Sequence, residues 1–131
     1  MVLIAVALAA CGSSTPTQPT SVSIAGNWTG SLVGRTPCVG DWSGVALAME
    51  ASGRGSATTA DGQRFTAAEV TSDGVRRIEI TLPPGAGECT TFALVINNVE
   101  VGASARATAF SGSISGRCCG TLQATFRFVR L

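Results

Sequence analysis

The stretch Ser23-Ile24-Ala25-Gly26-Asn27-Trp28-Thr29-Gly30-Ser31-Leu32 decides how this chain folds. Val22, Ile24, Trp28 and Leu32 share one parity, and Gly26 and Gly30 fall between them on the same parity. That is the period-two pattern of a strand with one buried face, and the glycines leave room on that face beside the indole. It predicts the opening strand, Val22 to Val33, of a small antiparallel barrel.

Working outward, the same pattern recurs. Trp42 to Glu50 sets Val45, Leu47 and Met49 on one face. A weaker strand, Ser56 to Ala60, meets Asp61-Gly62, the strongest short hairpin signal in the chain, and Arg64 to Thr71 follows. Ser72-Asp73-Gly74 turns into Val75 to Leu82, where Ile78, Ile80 and Leu82 alternate with Arg77, Glu79 and Thr81. Pro83 to Glu88 cannot be strand interior. Thr90 to Ile96 is the sixth strand, a long seventh ends near Ser115, and Leu122, Ala124, Phe126 and Phe128 share one face of the eighth. Val99 to Val101 reads as the bulged start of the seventh; as a separate strand it would raise the count to nine. With no helical periodicity of useful length, the fold class is all-β: an eight-stranded antiparallel up-and-down meander barrel, with a sandwich as the alternative.

Composition narrows function by exclusion. The 131 residues carry a net charge of +1, with 13% charged residues, so nothing points to nucleic acid. Every cation is an arginine, and the chain has no His and no Tyr. Missing histidine removes the usual general base and the commonest metal ligand together. No serine sits in a nucleophile elbow and no phosphate loop is present, so the chain is expected to be non-catalytic, without cofactor or metal. Arg76-Arg77 reads as a solvated face and Asp61-Gly62 as a turn.

Residues 1–10 are apolar throughout but too few to span a bilayer as a helix, which takes about 20. They end in Leu8-Ala9-Ala10-Cys11, which resembles the lipobox of bacterial lipoproteins. The resemblance implies that residues 1–10 are a signal peptide and that Cys11 becomes the acylated first residue of the mature protein. Gly12 after it implies the outer membrane, so the expected partner of this end is the envelope membrane, held through a lipid anchor. An ordinary signal peptide with an incidental Cys11 is the plainer alternative. Residues 11–20 hold two prolines and nothing apolar after Ala10 except the cysteine itself, so they read as an extended tether. Residues 21–131 form the barrel domain.

With Cys11 acylated, Cys38, Cys89, Cys118 and Cys119 remain, an even number in an exported chain, and disulfides are expected. In an up-and-down meander the loops after odd-numbered strands lie at one end. Cys38 follows strand one, Cys89 strand five and Cys118-Cys119 strand seven, so all four meet there. The eighth strand lies beside the first in a closed barrel, which pairs Cys38 with Cys118 or Cys119 and leaves Cys89 for the other. A vicinal Cys118–Cys119 bridge is a strained alternative. A four-thiolate zinc site is disfavoured because no Cys-x-x-Cys spacing exists.

Gly26-Asn27-Trp28 followed by an antiparallel meander resembles the calycin group, in which lipocalins and avidins share a Gly-x-Trp on the first strand. The resemblance implies a barrel plugged by Gly26, Trp28 and an arginine from the last strand laid over the indole. Arg130, on the parity of Phe126 and Phe128, fits that role first and Arg127 second. Trp42, beside Asp41 at the cysteine end, is the candidate ligand contact, with a surface-packed tryptophan as the plainer alternative. Two functions stay open: a lipid-anchored envelope module that binds a small apolar ligand or an envelope protein, or a structural surface lipoprotein with a filled barrel and no ligand. Large inward side chains would favour the filled barrel and small ones an open cavity.

Overall fold

A computed structural model describes residues 22–83 and 90–131. Eight strands run in chain order: β1 Gly26–Arg35, β2 Val45–Met49, β3 Arg54–Thr58, β4 Arg64–Ser72, β5 Val75–Thr81, β6 Thr91–Val101, β7 Ala107–Gly116 and β8 Gln123–Arg130. Each pairs antiparallel with its neighbour, and β8 returns to β1 over Trp28↔Arg130 to Arg35↔Gln123, so the sheet closes into a barrel. The alternation seen in the sequence is the reason. Each strand has one apolar face, and ring closure buries all of those faces against one another while leaving no strand edge unpaired.

The inward positions form one continuous core: Trp28 and Leu32 from β1, Val45, Leu47 and Met49 from β2, Ile78 and Ile80 from β5, and Phe126 and Phe128 from β8. Element boundaries differ from the sequence reading in instructive places. Residues 22–25 precede β1 rather than belonging to it, although Ile24 is fully buried. The third strand, expected from Ser56, begins two residues earlier at Arg54. Trp42 lies in the β1–β2 loop, where its carbonyl accepts a 2.9 Å hydrogen bond from the Leu32 N–H.

Val99 to Val101 is neither a ninth strand nor the start of the seventh. It is the end of β6, carried past a register shift between Ile96 and Asn98. Asn97 is the extra residue of this bulge, and it flips the parity: Phe92, Leu94 and Ile96 face inward before it, and Val99 faces inward opposite Phe110 after it. The chain then turns at residues 102–106.

The bulge is packed against a glycine that cannot be exchanged. A methyl group at Gly112 would overlap the Val95 carbonyl oxygen and lie 2.9 Å from the Asn97 nitrogen. Both obstacles are backbone, so no side chain can swing away. Gly112→Ala is therefore expected to destabilise by about 1–3 kcal/mol through overpacking, read as a lower urea midpoint. An unchanged midpoint would mean that β6 and β7 are not held this close.

One correction concerns Arg76. It shares the inward parity of Ile78 and Ile80, is 5% exposed, and forms an ion pair with Glu69 of β4. Arg77, its neighbour, stays on the outer face opposite Val70 and Val95.

Candidate functional site

Both ends of the barrel are built around a tryptophan. At the first end, β1 places Trp28 directly opposite Arg130 of β8. The indole N–H donates to the Ile24 carbonyl at 2.9 Å, and the ring meets Phe110 edge-on at 4.8 Å between centroids. The Arg130 guanidinium lies over the indole face, 4.3 Å from the ring centroid. Its Nε donates to the Ala107 carbonyl at 2.7 Å and its Nη1 to the Ala25 carbonyl at 2.9 Å. Burial, with a smaller push from Arg106, holds its pKa below the usual arginine value. Gly26, at φ +134°, makes the arrangement possible: a Cβ there would overlap Nη1 and sit 3.3 Å from Cζ. The three residues expected as the plug are thus brought together.

Arg127, the second choice for that role, is on the outer face. It pairs with Glu100, reaching across β7, and this ion pair holds the Glu100 carboxyl below its ordinary pKa. Both partners are exposed, so the pair is screened by salt and contributes little to stability.

At the cysteine end, Trp42 is 4% exposed. Its ring stacks on Phe65 at 5.2 Å and meets Phe92 edge-on at 5.4 Å, and its N–H donates to the Val39 carbonyl at 2.7 Å. The candidate ligand contact is enclosed by protein. Cys38 and Cys119 form a disulfide across 5.9 Å between Cα atoms, joining the β1–β2 loop to the β7–β8 loop as the parity argument expected. Cys118 is also disulfide-bonded and buried. Cys89, its expected partner, lies outside the described residues, as does Cys11.

Two carboxylates organise the loops at this end. Asp41 Oδ1 accepts from the Ser43 hydroxyl at 2.7 Å and the Ser43 N–H at 3.1 Å, and these bonds lower its pKa below 3.8. Asp61 Oδ1 accepts from the Thr59 hydroxyl and from the Asp41 N–H at 3.3 Å, and its pKa is lowered chiefly by Thr59. A depressed folded-state pKa stabilises the loops above the unfolded value of 3.8 and ceases to do so as pH falls through the lowered value. Acidification below that range is expected to lower the protection factors of the Ser43 and Asp41 amide protons, relative to their intrinsic exchange at the same pH, before the core strands open. Simultaneous loss of protection in loop and core would refute this order.

Among the described residues no three Asp, Glu, His or Cys side chains converge to hold a metal. All seven aromatic rings of the chain are buried inside the barrel, in the Trp28–Phe110–Phe126–Phe128 group or around Trp42. Concavities open on the outside of the barrel. One of about 440 Å³ is bordered by Thr29, Ser31, Val33, Thr125, Arg127 and Val129. Another, of about 460 Å³, is bordered by Asn27, Ala48, Glu50, Arg54, Ser56 and Arg64. Neither is legible in the sequence, because each forms across strands that lie side by side only once the sheet is assembled.

The chain matches no family model, no curated protein and no solved structure. The closed eight-stranded antiparallel barrel is consistent with a lipocalin-like fold.

Proposed function

We propose that this chain is a non-catalytic binding protein of the bacterial outer-membrane envelope, tethered through acylated Cys11, that engages a protein partner with the outside of its barrel. One observation carries the choice of partner: all seven aromatic rings are packed inward and against one another, which favours a barrel filled by its own side chains over one that holds a small apolar molecule. The lipobox at Leu8 to Cys11 supports the anchor, and the polar segment that follows supplies reach to a partner. The absence of histidine from the whole chain supports a role without catalysis.

The test is native mass spectrometry of the full-length protein extracted gently from its host envelope. The expected mass carries acyl groups and two disulfides and no additional small molecule. A retained apolar ligand would overturn the partner reading in favour of ligand carriage, and an unacylated mass would overturn the anchor. An acylated, ligand-free protein that cross-links to nothing in intact envelopes would instead mark it as a structural surface lipoprotein.

A further inference from the structure

The outer groove over β2, β3 and β4 combines a small-residue floor with a pair of arginines. Its floor is made of small residues, Ala48, Gly55 and Ser56, and two arginines stand over it, Arg54 from β3 and Arg64 from β4. Both are exposed, and neither has a carboxylate partner among the described residues. By contrast, the arginine bordering the groove over β1 and β8, Arg127, is neutralised by Glu100.

Strand register fixes the spacing. Arg54 is paired with Ala68, and Arg64 lies four residues from Ala68 on β4. At about 3.3 Å per residue the two arginines are anchored about 13 Å apart along the strands. Between them Ser56, Thr66 and Thr81 stand opposite one another on adjacent strands, a row of outward hydroxyls that continues into a second hollow bordered by Arg64, Thr66, Thr81, Leu82 and Pro83. Two cations separated by hydrogen-bonding groups match an extended polymer with anions at the same interval. In an extended peptide, residues four apart point to the same side and are separated by about 13 Å.

We propose that this groove is the docking site for an extended acidic segment of the partner, with carboxylates four residues apart held by Arg54 and Arg64. The proposal rests on the protein-partner reading above and deepens it. A guanidinium presents paired N–H donors that suit a carboxylate, and each such contact is charge-assisted. A peptide is favoured over an acidic glycan because every aromatic ring here is buried, so the groove offers no ring face on which a sugar could stack. The tether of this chain is not the occupant, since residues 12–21 contain no acid. Glu50, at the Arg54 end, repels a further carboxylate and so limits the segment to two.

Fluorescence anisotropy on the full-length lipoprotein in detergent tests this with labelled threonine-valine peptides. One carries glutamates four positions apart, a second carries them three apart, and a third has glutamines in place of the first set. The first is expected to bind, with affinity falling as salt rises. The glutamine peptide, the three-apart peptide, and the first peptide on Arg54→Gln or Arg64→Gln are each expected to bind about tenfold or more weakly. Arg35→Gln, on β1, should leave binding unchanged. Equal binding of all three peptides, equal weakening by Arg35→Gln, or tighter binding of a trigalacturonate probe through the same two arginines would overturn the proposal. Failure of the acidic peptide with a ligand-free native mass refutes this groove alone, whereas a retained small ligand refutes the protein-partner reading itself.

Discussion

Trp28→Ala is expected to destabilise the barrel by about 3–5 kcal/mol, a large part of what a domain of this size commands. The indole is fully buried, and its loss removes more than apolar area. Phe110 loses the ring it meets edge-on, and the Ile24 carbonyl loses its donor. Arg130 loses the face over which its charge is held, a contact worth about 0.5–2 kcal/mol. Trp28→Phe keeps most of the volume but drops the N–H donor, and should cost less than the alanine change. The check is urea denaturation followed by far-ultraviolet circular dichroism, since the substitution removes a fluorophore. A loss below about 1 kcal/mol would mean that the plug is not a stabilising element.

Removing the Cys38–Cys119 bridge in the double variant Cys38→Ser/Cys119→Ser should cost about 4 kcal/mol. The size follows from a sequence separation of 81, because the bridge closes a long loop in the unfolded chain and restricts that state most. The bridge also ties down the loop that carries Trp42. The expected readouts are a lower melting temperature and a red-shifted tryptophan emission at temperatures below the main transition. An unchanged melting temperature would show that closure by β1 and β8 already supplies the constraint. Trp28 and this bridge lie at opposite ends of the barrel, so the two losses should add.

How much of this could be read from the chain alone follows from which interactions are local. Alternation is local, and it placed eight strands, the all-β class and the inward parity of Arg130. The common end of Cys38, Cys118 and Cys119 followed from strand count, and Cys38–Cys119 bears out one of the two expected pairings for Cys38. Parity also held the answer for Arg76, on the Ile78 side of β5, but charge outweighed it in the reading; an ion-pair partner one strand away, Glu69, is invisible without register. Asn97 could not be recognised as a bulge, since one extra residue looks the same as a turn when only spacing is known. The outer groove was illegible for a related reason: Asn27, Ala48, Arg54 and Arg64 belong to four strands and meet only once the sheet is assembled.

The seam between β1 and β8 sets a timetable for the living cell. Arg130 reaches the Ala25 carbonyl across 105 positions of chain, and the Trp28 end is sealed by that reach. Hairpins can form as successive strands emerge from a ribosome, but the ring has no complete interior until β8 arrives. Such distant pairing makes folding slow, because the chain must surrender loop entropy before the join rewards it. A chain made N-terminus first therefore commits to its final form only after the last strand is delivered.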